Sequence, residues 1–537
     1  MRKDSFLRGA FILMIGSLAS RILGAVYRFI LPWLMGGGDQ GAYGMALFAL
    51  PYSIYSIALV LSSMGIPLAI SKLVSEALAE GAPNEAHRVF RISMGLLFVM
   101  GASFTAILYF ASPFFVHRVW QNADAYYSMI ALTPAVLFVS VMSAFRGLFQ
   151  GLQTMTPHAV SQIIEQIVRV GTMFTLVAVL VPYGLEYAAA GATFGATTGA
   201  VAGLVYMLIV YWRNLGDIWD GVDALNPPAA GRSTWEVMGE ILHFAIPISI
   251  TGIIMPLMRF VDATLVPSRL MSAGYTETLA TTAFGYLEAY SMPFVNAPAV
   301  FTTALAISLV PSVSESLTVG NLEAIRNKAY AALRIAGLIG FPAATGLFVL
   351  SSEIPDFFWS SPEAGPVLAA VSGVAVFFTL HQVSSAVLQG MGKPTIPLRN
   401  LFLGAVVKFA LTWFLTSIPQ VGVRGAGFAS VVGFFIAAGM NISSVVKEVG
   451  RLSVVGALWR AVVASAIMGV IVRASGNLVI AEMGLNFGFP IAVATGIIVY
   501  TMTILLIGGV RTGDLRMIPR VGGKVAQVLK AWHLVRD

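Results

Sequence analysis

The 537-residue chain contains no cysteine, which excludes disulfide frameworks and thiolate metal sites. Charge is also scarce: Asp, Glu, Lys and Arg make up 11% of the residues, where a soluble domain carries about 25%. A chain this long with so few charges lacks the polar surface to stay in water. It has no G-x-x-x-x-G-K-[ST] loop, so no built-in ATPase is expected, and no H-E-x-x-H, so no zinc hydrolase. The six His are scattered; His243 and His381 read as helix-packing residues, and neither a metal nor a cofactor is expected. The net charge of +7 raises the question of nucleic acid. Basic loops beside a membrane account for it better, so no nucleic-acid partner is expected.

What is present is apolar. Hydrophobic residues make up 57% of the chain, and mean hydropathy is +0.84. Apolar runs of about 20 residues recur along the whole length, each long enough to cross a bilayer as a helix. A helix satisfies its own backbone hydrogen bonds in lipid, and the short alternating segments of a membrane barrel are absent. The fold class is therefore an all-α polytopic membrane protein embedded in a phospholipid bilayer.

Hydropathy and helix breakers predict about fourteen transmembrane helices. The first six run near 6–35, 42–72, 92–112, 126–149, 158–181 and 185–212. Six more follow near 237–265, 278–312, 328–351, 364–391, 395–417 and 424–446, then two near 455–476 and 487–510. The first is too long for a signal-peptide core and lacks a small-residue cleavage site, so it is expected to remain as a span. The "GGGDQGAYG" stretch, Gly36 to Gly44, reads as an outer turn with Asp39 in it. In the tail, Val521, Val525, Val528, Leu529 and Trp532 fall on one helix side, which predicts an interfacial amphipathic anchor on the inner leaflet.

Loop charge tests this arrangement, because Lys and Arg favour cytoplasmic loops. With the N-terminus inside, the loop cations from Arg2 to Arg460, Arg146 at the exit of span four among them, and those of the tail gather in the cytoplasm. Arg118, Arg269, Arg424 and Arg473 are left outside. An odd number of spans would scramble this asymmetry. The expectation is a multi-pass protein of the cell membrane with both termini cytoplasmic.

Two stretches show an internal repeat. Gln150-Gly151 in "FRGLFQGLQTMTP" returns as Gln389-Gly390 in "SAVLQGMGKPTIP", an offset of 239. The same offset pairs Ser75-Glu76 with Ser314-Glu315, Leu78 with Leu317, Gly81 with Gly320 and Arg169 with Lys408. Spans one to six are thus repeated by spans seven to twelve, and an even number makes the repeat parallel. The predicted organisation has an N-lobe over 1–213, a cytoplasmic linker over 214–236 and a C-lobe over 237–447. Two further spans occupy 448–511 and a basic tail 512–537. Each "QG…P" reads as a helix exit in which Gly caps and Pro starts the next element. Two like bundles facing one another are expected to enclose a central cavity, which is transporter anatomy.

Charges inside spans mark the candidate site. A basic residue at mid-bilayer costs about 2.5–3.5 kcal/mol even on lenient scales, so Arg21, Arg28, Arg169, Arg259 and Lys408 need a reason to be there. Arg21 and Arg28 are seven apart and share one helix face, with no acid between them. Glu165 stands one turn before Arg169, the order that favours a structural or coupling pair. Arg259 and Asp262 are spaced to pair likewise. Lys408 has no acid near it in sequence, and Glu288 in "YLEAYSMPF" is an isolated acid that can answer a cation. A cavity with more cations than acids suits an anionic substrate, and the Arg fork suits phosphate. Arg21, Arg28, Arg259, Lys408 and Glu288 are the expected substrate-binding residues.

The residues also resemble a known family. "SRILGAVYRF" in span one, "FRGLFQGLQTMTPHAVSQIIEQIVRV" across spans four and five, and "LVPSVSES" closing span eight are similar to the MurJ/YtgP-type lipid II flippases. They are equally similar to the stage V sporulation protein B group of the multidrug/oligosaccharidyl-lipid/polysaccharide exporter superfamily. That resemblance implies fourteen helices, two lobes and a lateral groove involving the last two helices. It also implies a lipid-linked oligosaccharide substrate, undecaprenyl-pyrophosphate-linked peptidoglycan precursor, flipped by alternating access, with cell-wall synthesis enzymes as partners. Arg21 matches the Arg of the family's "SRxLG" pattern, and Arg28 lies one place beyond a second family arginine, where Tyr27 stands. Tyr55 and Glu288 stand where or near where better-known members carry arginines. Other readings stay open at this point: a multidrug/cation antiporter of the same superfamily, which needs an uncompensated carboxylate in its first lobe, or a flippase for another lipid-linked polysaccharide. A glycosyltransferase would need a metal-binding acidic loop motif, which is missing, and a non-transporting scaffold would ignore loss of the cavity arginines.

Overall fold

The computed structural model describes residues 26–219 and 233–510, together with 16, 20, 23 and 24. The amphipathic tail, most of the linker and Arg21 lie outside the described residues. The described chain is helical throughout, and it divides into two compact units. The first comprises residues up to Met271 together with Thr276–Gly285; the second comprises Ser272–Tyr275 and residues from Tyr286 onward.

In the first unit the helices are α1 (Gly38–Leu59), α2 (Ile66–Ala79), α3 (Pro83–Phe114), α4 (Ala125–Leu132), α5 (Pro134–Gly151), α6 (Thr156–Leu180) and α7 (Leu185–Arg213), followed by α8 (Thr234–Ser272) and α9 (Glu277–Gly285). The second unit holds α10 (Met292–Thr318), α11 (Leu322–Val349), α12 (Glu353–Trp359), α13 (Gly365–Val371), α14 (Val374–Gly390), α15 (Thr395–Leu415) and α16 (Val423–Val449). It closes with α17 (Val454–Met483) and α18 (Leu485–Leu506). Twelve described helices are long and apolar enough to span a membrane. A thirteenth forms if the bent pair Thr234–Ile250 and Gly252–Ser272 counts as one span. Its 48° bend falls between Ile250 and Gly252, in a helix that carries Pro247 and Pro256 on either side, and a proline removes an intrahelical hydrogen bond. The first expected span lies largely outside the described residues.

The offset of 239 runs through the backbone as well as the sequence. Helix α2 ends at Ala79 and α10 at Thr318; α3 starts at Pro83 and α11 at Leu322; α6 starts at Thr156 and α15 at Thr395. Left-handed residues recur at the same interval: Gly81 with Gly320, Gln121 with Ser360, Gln153 with Gly392. The two cores are built from equivalent positions. Ile70, Val74, Leu148 and Phe149 are buried in the first, and Leu309, Val313, Val387 and Leu388 in the second.

The repeated Gln-Gly exits have a different cause from the one expected. Gly151 and Gly390 are the last helical residues, not the caps. The chain leaves the helix at Gln153 and Gly392, both left-handed. There the amide of Thr154 donates to the Phe149 carbonyl and that of Lys393 to the Leu388 carbonyl, at 2.9 Å in each case. This is the Schellman closure. Gly151 and Gly390 are glycine because a helix crosses them: a Cβ on Gly151 would lie 3.0 Å from the Ser71 carbonyl oxygen, and one on Gly390 2.7 Å from that of Val310. The outer turn is likewise shorter than expected. Only Gly36–Gly38 carry positive φ, and Asp39 already sits in the first turn of α1, where a carboxylate favours the helix dipole.

Candidate functional site

In the first unit α6 and α7 pack closely because α7 carries glycine where α6 carries charge. A Cβ on Gly199 would lie 2.6 Å from the Glu165 carbonyl oxygen and 2.9 Å from Arg169 Cβ. This close approach fixes Glu165 and Arg169 against the neighbouring helices. Arg169 Nη2 donates to Glu165 Oε1 at 2.8 Å, and Arg146 Nη2, from α5, donates to Glu165 Oε2 at 2.9 Å. Arg146 Nε also donates to Ser161 Oγ at 3.0 Å. One carboxylate therefore serves two guanidiniums, leaving the cluster with one surplus positive charge. The three side chains keep only 13–16% of their surface exposed. Tyr27, Tyr52 and Tyr55 lie within electrostatic range of Arg169.

The second unit places neutral groups at three of the four corresponding positions and a lysine at the fourth. Ser385, Asn400 and Gly404 stand 239 residues after Arg146, Ser161 and Glu165, and Lys408 after Arg169. Asn400 Nδ2 donates to Asn441 Oδ1 at 2.9 Å, while Asn441 Nδ2 reaches Ser385 Oγ at 2.9 Å and His381 Nδ1 at 3.1 Å. His381 is thus a packed residue with a defined partner, buried with Asn400, Asn441 and Lys408.

Of the expected substrate-binding residues that are described, Arg28 and Arg259 belong to the first unit and Glu288 and Lys408 to the second. Arg28 is half-buried in the helical stretch ahead of α1, and Arg259 is exposed on α8. Asp262, three residues further along α8, is 2% exposed. Glu288 is half-buried within a π turn, Tyr286–Ser291, that precedes α10. The residue that sequence spacing missed is Arg146. Counted with the cytoplasmic exit of its helix, it instead reaches across 19 residues to Glu165. Its position one turn before the Gln-Gly exit was the only available signal.

A separate feature of the second unit is an apolar groove of about 510 Å³. Phe294, Phe301, Pro342, Met468, Ala492 and Tyr500 line it, contributed by α10, α11, α17 and α18. The Tyr500 hydroxyl is turned away to donate to the Leu338 carbonyl at 2.8 Å, so its ring faces the groove without leaving a polar atom bare. Among the described residues no three His, Asp or Glu side chains gather to hold a metal.

The family described as polysaccharide biosynthesis protein matches residues 6–317, more than half of the chain. The chain belongs to that family. A second family, MatE, matches residues 247–414. Lipid II flippase MurJ of Bacillus subtilis (strain 168) is 31% identical over 446 residues, covering 80% of each chain. Stage V sporulation protein B of the same organism is 27% identical over 524 residues, 97% of this chain and 99% of that one. Among solved structures, "Lipid II flippase MurJ, inward closed conformation" aligns with a TM-score of 0.65 at 14% identity, over 93% of this chain and 98% of that one. The family places the chain in the multidrug/oligosaccharidyl-lipid/polysaccharide exporter superfamily, as a multi-pass membrane transporter and not an enzyme.

Proposed function

We propose that this family member is a flippase carrying an undecaprenyl-pyrophosphate-linked peptidoglycan precursor, lipid II, from the inner to the outer leaflet by alternating access. The observation that carries the reading is the apolar groove of the second unit. A groove with an almost wholly hydrocarbon lining suits a polyprenyl chain, whose transfer out of water is favourable by about 0.8 kcal/mol per CH₂. The pyrophosphate and sugar would meet cations instead: Arg21, Arg28, Arg259 and Lys408 are the proposed partners, with Glu288 as counter-charge. In this reading both termini would lie in the cytoplasm, the repeat lobes would span 1–213 and 237–447, and cell-wall synthesis enzymes would be the natural partners of such a step.

The test is a flipping assay in vesicles of defined composition containing the purified protein. Fluorescent lipid II should become accessible to an impermeant quencher at a protein-dependent rate, and faster than a second undecaprenyl-pyrophosphate glycan lacking the peptide. Equal rates for both would move the substrate to another lipid-linked polysaccharide. The MatE match favours one further reading, a cation-coupled multidrug antiporter. Glu165 argues against it, because both its oxygens are taken by guanidiniums and a carboxylate so held is a poor carrier of a proton or cation. Dye efflux driven by a cation gradient in the same vesicles would restore that reading.

A further inference from the structure

The Arg146–Glu165–Arg169 cluster has more positive charge than a structural pair needs. A neutral pair would satisfy packing, and a spare cation within a membrane span is costly unless something uses it. The two arginines are not equally engaged. Arg146 binds both Glu165 and Ser161, which fixes its fork. Arg169 meets Glu165 through Nη2, while its Nε is buried with no acceptor among the described residues. Within electrostatic range of it, the Tyr55 hydroxyl belongs to a residue 1% exposed and also has no hydrogen-bond partner among the described residues. The two N–H and O–H groups are donors left buried without acceptors, a state that costs free energy until an acceptor arrives.

From these groups we propose that the cluster is an exchangeable anion site, in which a phosphoryl group takes the place Glu165 holds on Arg169. A phosphoryl oxygen set accepts hydrogen bonds from an Arg fork in pairs, and here it would use Arg169 Nε together with Nη2, with Tyr55 as a third donor. Glu165 would stay on Arg146, so the bound anion would neutralise the cluster's surplus positive charge. The repeat supplies a control within the same molecule. The second unit has Ser385, Asn400 and Gly404 at the matching positions and closes them with Asn441; the two-arginine arrangement belongs to the first unit alone. Equivalent packing is thus achieved there without the paired arginines, so the fold does not require them.

The choice of phosphoryl rests on the transport reading above, and the experiment separates the two. Purified protein in detergent is titrated with farnesyl pyrophosphate and, separately, with uncharged farnesol, while thermal melting confirms that each variant is folded. Wild type should prefer the pyrophosphate. Arg169→Gln should weaken it about ten- to a hundredfold, the loss expected for a charge-assisted contact. Arg169→Lys should fall between, because the ammonium keeps charge but loses the fork. Glu165→Gln should tighten it severalfold, because the competing carboxylate is gone. Opposite shifts from two variants that lose the same ion pair cannot arise from damage to the fold. The site is overturned if both variants bind the pyrophosphate as wild type does, or if both weaken it alike. If wild type binds farnesyl pyrophosphate no better than farnesol, the pyrophosphate reading of the whole chain falls first, and the phosphoryl site with it.

Discussion

Arg146 donates to Glu165 at 2.9 Å, joining α5 to α6 across 19 residues. The contact couples two helices that share few others, so it should be visible as a coupling energy. In a double-mutant cycle of Arg146→Ala and Glu165→Ala, the two changes should fall short of additivity by about 0.5–3 kcal/mol. Arg169→Ala should be coupled to Glu165→Ala in the same range. Thermal or denaturant unfolding in detergent measures this, and strictly additive changes would show that the ion pairs contribute nothing to the fold.

The repeated exits make a prediction with two signs. Gln153 holds a left-handed conformation that glycine adopts freely, and Gly392 fills the matching place with glycine. Gln153→Gly should therefore stabilise by roughly 0.5–1 kcal/mol, and Gly392→Ala should destabilise by about 1 kcal/mol. Gly151→Val and Gly390→Val should each cost about 1–3 kcal/mol through overpacking against Ser71 and Val310. A melting series of the four variants checks this. A destabilised Gln153→Gly protein would mean that the glutamine side chain does more at the exit than its backbone shape suggests.

The same exits show what a sequence can and cannot disclose. Gln150-Gly151 and Gln389-Gly390 were enough to find the offset, because a repeat keeps the residues that its backbone demands. The physical role of the glycine was not legible, because the crossing helix lies about 80 residues earlier, at Ser71 and Val310. Span ends were read short where helices run on past the apolar stretch, as α3 does back to Pro83 and α10 on to Thr318. Glu165 and Arg169 were legible at one-turn spacing. Arg146 was not, since nothing local distinguishes an arginine that reaches an acid on the next helix from one that reaches water. The Asn400–Asn441–Ser385–His381 network joins three helices, and such joins leave no periodic trace in any one of them.

Absence of cysteine makes the topology directly measurable. Single cysteines at Gly81 or Gly320, in the turns that close α2 and α10, should resist an impermeant thiol reagent added to intact cells and react once the membrane is opened. A cysteine at Gly37, before α1, should react from outside. Because residues 81 and 320 are equivalent in the repeat, they must agree with each other. Labelling of one from outside and the other from inside would contradict a parallel repeat.

The groove of the second unit separates lipid recognition from headgroup recognition. Ala492 is 1% exposed and Gly496 approaches Val472, so both lie on the α18 face that packs toward α17 and lines the groove. Gly496→Leu should fill part of the 510 Å³ with hydrocarbon. That change removes no charge and leaves the Arg146–Glu165–Arg169 cluster in the other unit untouched. If a polyprenyl chain occupies the groove, flipping of fluorescent lipid II should fall at least tenfold. Binding of a short-chain pyrophosphate such as farnesyl pyrophosphate should fall much less, since it offers fewer CH₂ groups to displace. The melting temperature should fall only modestly, because the Cβ meets the Val472 side chain at 3.2 Å and the rest of the leucine enters the groove. Insertion of the chain into the membrane should be normal, which fractionation can verify. Full flipping activity with the groove filled would separate the groove from the transport path and leave lipid recognition to another surface.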